Sequence, residues 1–275
     1  MPKYVHVEID LKHLRNLAQT GVRRAELFMG LGLNATNRHD FSDYELNKLP
    51  VTSDQASLPV VSLPRGADER TIERYKEQFR VWITSCGLRE LLEHYAFMLD
   101  QMHHYGLAVA HMKGFMDQLG NPIKLQASFD RLGLIQKLLF LRDRFGVEPE
   151  HTQHIAALYH ARNSLSHGFG TVRAKEAGED DKLHLRWLAS ELWAVGEESG
   201  EEFPIGELFH AAKPEQTRIQ LRCLERERSY SVGERLTLSG QDLWEICYFF
   251  SKHCIPSTLQ SFEAFLRKQG VADAR

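Results

Sequence analysis

Residues 149–168 read PEHTQHIAALYHARNSLSHG, and the fold turns on how this run is read. Pro149 suits the first position of a helix, because its fixed φ is already helical and its missing N–H would have no partner there. Ile155, Leu158 and Tyr159 recur at helical spacing, which predicts one helix from about Pro149 to Ser166 or His167, with Gly168 as terminator. Continuing the stripe brings Arg162 and Ser166 onto it, so Arg162 is expected to point inward. A guanidinium stays charged, so it needs an acidic partner, a second subunit or an anionic ligand. Asn163 and His167 are four apart and share a flank. Arg162 and His167 are five apart, about 140° around an ideal helix. They meet only if the last turn unwinds near Gly168 and Gly170, or if a second chain completes the site.

Working outward, the N-terminal side is helical. Val5, Val7 and Ile9 alternate as in a short strand, and Leu11, Leu14, Leu17 and Ala18 begin a helix that runs to about Met29. From Gly30 to Ala67 the chain carries Pro50, Pro59 and Pro64 with little periodicity and reads as a loop or linker. Asp68 can cap a helix through Ile72, Tyr75, Phe79, Trp82 and Ile83. Its continuation through Leu88, Leu91, Leu92, Tyr95 and Leu99 forms a core stripe, with helical character persisting toward Gly120. Ser128 precedes a third helix through Leu132, Ile135, Leu138 and Leu141, which ends at Gly146.

On the other side, Leu183, Leu185 and Trp187 alternate, as do Ile219, Leu221 and Cys223, which predicts short strands. Ser239 with Asp242 resembles a capping box for a helix through Leu243, Ile246, Phe249 and Phe250, and a last helix follows Pro256 to about Gln269. The expected organisation is an N-terminal arm, helix and linker over 1–67. A mainly α domain then spans 68–275, with a small β insertion over about 183–229.

The net charge of −3 gives no global basic field, so any nucleic-acid contact must be local. Cys86, Cys223, Cys247 and Cys254 lie far apart, which suits a reducing compartment and gives no zinc spacing. With no apolar signal region at the start and no spanning stretch, a cytoplasmic chain without membrane contact is expected. Among 14 histidines, His151 and His154 lack a ligand pattern and read as solvated, so no metal or cofactor is expected. Gly30-Leu31-Gly32 is read as a turn, and Arg222 to Arg228, alternating in sign, as a solvated strand face. Trp187 and Trp193 are core fillers by the commoner use of the residue.

Arg162, Asn163, Ser164, Leu165, Ser166 and His167 together resemble the Arg-x4-His signature of the HEPN superfamily, in the form with Asn after the Arg. The resemblance implies a HEPN-like helical bundle, an RNA substrate and a homodimer whose two motif copies form a ribonuclease cleft. It implies Arg162, Asn163 and His167 as catalytic residues, and a toxin or antiviral defence role with an antitoxin or regulatory protein as partner. RNA carries its own nucleophile, the 2′-OH, so the protein's tasks are to move protons and stabilise charge without a metal. A histidine such as His167 can exchange a proton near neutral pH, while Arg162 holds the phosphate and Asn163 orients either. The alternatives are a catalytically inactive HEPN-like module that binds nucleotide or a partner protein, and an arginine simply neutralised by Glu90 or Glu93.

Overall fold

The computed structural model describes residues 9–38, 68–205 and 216–271. Of the strand expected over 5–9 only Ile9 falls among them, and it is buried beside the first helix.

Helix α1 (Leu11–Thr36) starts where Asp10 accepts a hydrogen bond from the His13 N–H at 2.8 Å. It does not stop at Met29, as the glycines suggested, but continues through Gly30 and Gly32 to Thr36. The reason is tertiary. Helix α2 (Glu69–Met112) lies so close that a Cβ at Gly32 would sit 2.5 Å from Ile83 Cδ1, and one at Gly21 2.3 Å from His94 Cβ. These glycines let two backbones approach, and that contact outweighs their low helix propensity. The α1 stripe of Leu14, Ala18, Val22, Ala25 and Met29 enters the same core as Leu88, Leu91, Leu92, Tyr95, Met98 and Leu99 of α2.

Helix α2 is one uninterrupted 44-residue rod capped by Asp68, and it ends at Met112 rather than near Gly120. Gly114, with φ +76°, turns the chain there. Where one helix after Ser128 was expected there are more. A single-turn α3 (Met116–Leu119) leads to α4 (Pro122–Phe129), which contains Ser128, and α5 (Leu134–Phe145) follows a break at Gly133. Asn121 caps α4 by accepting from the Lys124 N–H at 3.1 Å, and Pro122 occupies its first turn. Gly146 closes α5 in the left-handed region at φ +67°.

Helix α6 (Thr152–His167) carries the motif. Strands β1 (Lys182–Gly196), β2 (Glu202–Pro204) and β3 (Thr217–Ser231) form an antiparallel sheet in the order β2-β1-β3. The register runs from Lys182 opposite Ser231 to Gly196 opposite Thr217. Leu183, Leu185, Trp187 and Ala189 bury one face of β1 against α6 and α7 (Gly240–Phe249), as alternation predicts. The capping box of Ser239 and Asp242 is present. The two C-terminal helices, expected as separate, are continuous: α7 passes through a π-helical turn over Phe250–Cys254 into α8 (Ile255–Lys268). Pro256 lacks an N–H and crowds the preceding turn, so the ladder widens there instead of breaking. The protein is thus mainly helical with a small three-stranded sheet. Among the described residues no helix is long and apolar enough to cross a membrane.

One buried histidine gives the core a pH dependence. His103 of α2 is fully buried, stacks on Phe129 at 4.1 Å between ring centroids, and bonds through Nδ1 to Gln126 Oε1 at 2.9 Å. Burial pushes its pKa down to about 4. The unfolded chain takes up this proton below about pH 6.5, the folded chain only near 4. Stability therefore falls as pH drops through that window, by on the order of 3 kcal/mol. Urea unfolding at about pH 7 and about pH 4.5 should show a smaller acid loss in His103→Asn than in the wild type. Equal losses in the two proteins would show that His103 is not the group responsible.

Candidate functional site

The end of α6 is built by its own sequence. Ile155, Leu158, Ala161, Ser164 and Leu165 face the core, so the buried stripe passes through Ala161 and Leu165, with Arg162 at its edge. The Arg162 side chain retains 21% exposure. Its Nη1 donates to Asn163 Oδ1 at 3.1 Å, and its Nη2 stands 3.7 Å from Glu93 Oε1 on α2. That carboxylate is 60% exposed and is shared with Arg89, whose Nε lies 3.8 Å away. Both separations exceed hydrogen-bond length. Exposed pairs of this kind contribute about 0–1 kcal/mol, so an anion of higher charge can displace the carboxylate. Glu90, the other acidic partner considered, pairs with Arg24 and His94 instead.

Asn163 is half-buried and His167 exposed. Among the described residues no side-chain hydrogen bond joins them, so the structure brings Arg162 to Asn163 and leaves His167 apart. The last turn does not unwind. The Ser164 carbonyl accepts from the N–H of Gly168 at 2.9 Å and of Gly170 at 3.1 Å, and the helix holds through His167. The His167 carbonyl also receives Arg173 Nη1 at 3.4 Å. Arg173 is itself held by Glu176: burial raises that carboxyl's pKa, but the bonds from Arg173 outweigh it and the net direction is down. Of the two routes by which Arg162 could meet His167, only a second chain remains. Ser164 is buried, and Ser166 shares a 3.1 Å hydroxyl bond with Ser85 of α2, so both are packing residues.

Beyond the motif lies a feature that periodicity did not single out. Gly168-Phe169-Gly170 reverses the chain, with Phe169 at φ +51°, in the left-handed region that bulky residues avoid. Such a backbone costs on the order of 1–3 kcal/mol, and strain of this kind clusters at functional sites. The residue is 88% exposed, so burial of the side chain returns almost nothing. Phe169 borders an open cleft of about 800 Å³ between α2 and the end of α6, with Trp82, Arg89, Ser166 and Arg235 also on its wall. Trp82, part of the helical pattern that opens α2, is 59% exposed and stacks with Phe79 at 6.0 Å between centroids. A large aromatic residue flanked by two glycines was the signal available in the sequence.

The histidines at the other end of α6 are not solvated, as had been expected. His151 is buried, and its ring lies 5.6 Å from that of His154 and 6.0 Å from that of His253, all three packing around Phe249. The π-helical turn brings His253 there, and burial lowers the pKa of both His151 and His253. Among the described residues no group of three or more His, Cys, Asp or Glu could hold a metal ion. Trp187 is buried, whereas Trp193 lies half-buried under the Arg222 guanidinium at 4.8 Å. Compared with protein-family models, with curated proteins and with solved structures, the chain matches none.

Proposed function

We propose that the chain is an endoribonuclease that cleaves RNA through attack of its own 2′-OH, with a HEPN-like helical bundle as scaffold. The observation that carries this reading is the state of Arg162. The guanidinium is anchored at one end by Asn163, loosely paired with an exposed carboxylate, and sits on the edge of the helix whose last residue is the exposed His167. That is a seat for a phosphate. Arg162 would hold the scissile phosphodiester and offset the charge growing on its equatorial oxygens. Asn163 fixes the arginine's fork. His167 would take the 2′-OH proton or return one to the leaving 5′-oxygen.

Because α6 stays helical through His167, the reading calls for a homodimer in which His167 of one chain serves the phosphate held by the other. A toxin or antiviral defence role, restrained by an antitoxin or regulatory protein, follows from the motif resemblance alone, and a cytoplasmic setting from the scattered cysteines.

The chemistry sets the test. Purified protein incubated with end-labelled RNA should generate 2′,3′-cyclic phosphate termini at the same rate with and without EDTA. Abolition by the chelator, or 5′-phosphate products, would rule out this mechanism. The Glu93 contact favours a second reading, an inactive module in which Arg162 only ties α6 to α2. Intact RNA after prolonged incubation supports that reading.

A further inference from the structure

We infer that the cleft between α2 and the end of α6 seats unpaired bases of single-stranded RNA, stacked on Phe169 and Trp82, with Arg89 and Arg235 on the flanking phosphates. The inference deepens the proposed function and rests on it for the identity of the ligand. Four observations carry it. The cleft, at about 800 Å³, is of ligand-binding size and opens beside Ser166, inside the motif. Two of its walls offer exposed aromatic faces, Trp82 at 59% and Phe169 at 88%, the latter held out by a strained backbone that no packing of its ring repays. Its charged lining residues are both arginines. The nearest carboxylates, Glu77 and Glu93, stand 3.9 Å from Arg235 and 3.8 Å from Arg89, and neither lines the cleft.

Aromatic faces combined with a basic rim describe single-stranded nucleic acid, whose bases each present a π-face and whose backbone supplies one anion per nucleotide. A paired helix hides those faces. The net charge of −3 is compatible with this, because the attraction is local to the cleft. Since Arg89 shares Glu93 with Arg162, a strand entering between Trp82 and Phe169 reaches the phosphate seat by following one face of α2.

The test uses the full chain and a fluorescein-labelled 2′-O-methyl RNA 12-mer, which lacks the attacking hydroxyl and cannot be cleaved. Anisotropy titrations compare it as a single strand and annealed to its complement. The wild type should prefer the single strand. Phe169→Ala and Trp82→Ala should each weaken it by about tenfold or more, and Trp82→Phe should stay near the wild type. Arg89→Ala should weaken binding and flatten its salt dependence. Phe169 is too exposed for its removal to unfold the chain. Unchanged affinity in both alanine variants, or equal binding of the duplex, overturns the inference. So does a Phe169→Ala protein that changes oligomeric state on a sizing column while binding RNA normally, because Phe169 would then be a protein contact. Binding as expected without any cleavage of ordinary RNA supports the cleft and removes the nuclease; cleavage with alanine variants of undiminished affinity does the reverse.

Discussion

Arg162→Ala should lower kcat/KM for RNA cleavage by about 10²–10³-fold, and His167→Ala by about 10²–10⁴-fold. The first figure is that of losing a preorganised donor aimed at developing charge, and the second that of losing a proton-transfer group. Neither loss should come from unfolding. Arg162 contributes one 3.1 Å bond to Asn163 and a long pair with an exposed carboxylate, and the His167 ring lies at the surface. Circular dichroism and unfolding midpoints of both variants should therefore stay close to the wild type. Arg162→Lys should not restore activity, since an ammonium cannot present the two parallel donors that a phosphate accepts from a guanidinium. A mixture of the Arg162→Ala and His167→Ala chains provides a further check. If each cleft takes its arginine and histidine from different subunits, heterodimers regenerate one intact cleft, and the mixture recovers activity that neither parent has. Cleavage by both single variants within about threefold of the wild type would remove these residues from the mechanism.

The largest stability effect should come from Trp187→Ala, at about 3–5 kcal/mol. Trp187 is fully buried on the inner face of β1, and its indole N–H donates to Glu245 Oε2 of α7 at 2.9 Å. Glu245 is buried too, held otherwise by Gln241 Nε2 at 2.9 Å and by Arg226 at 3.7 Å. Truncation therefore opens a cavity and also strips a bond from a buried carboxylate. Trp187→Phe separates the two effects: the ring largely remains, the bond is lost, and the cost should be about 1–3 kcal/mol. Urea unfolding followed by far-ultraviolet dichroism measures both. A loss below about 1 kcal/mol for the alanine variant would mean that the sheet does not share the helical core.

Much of the fold was legible because periodicity reports which face is buried. The stripe of α2, the alternation of β1 and the Ser239–Asp242 box all appear where the residues put them. What periodicity could not report was contact between elements. Gly30 and Gly32 read as breakers, yet Gly32 is where α1 and α2 close on each other. Trp82 fits the helical spacing but lines the cleft, while its neighbour Ile83 is the residue that meets Gly32 of α1. Pro256 does open the last helix, in whose first turn it sits, but the sequence did not show that a π-helical turn joins that helix to the one before it. For the site, helix geometry correctly warned that Arg162 and His167 diverge. The sequence left Glu90 and Glu93 both open as partners of Arg162 and did not reveal that Phe169 is pushed outward, because both outcomes depend on segments far away in sequence.

The turn after the motif also binds the sheet to the site. Beyond Gly170 the chain runs antiparallel to the segment that leaves β3: Leu236 donates to the Gly170 carbonyl at 2.7 Å, Val172 to Glu234 at 3.0 Å and Gly233 to Val172 at 2.8 Å, with Thr171 bridged to Arg235. The long β1–β3 ribbon is thus a handle whose two stems are stitched together immediately after Phe169 in the chain. A molecule that grips the ribbon's far end and twists it applies torque to that stitch. If the proposed cleavage holds, an inhibitor or activator bound there adjusts it from a distance, without entering the cleft.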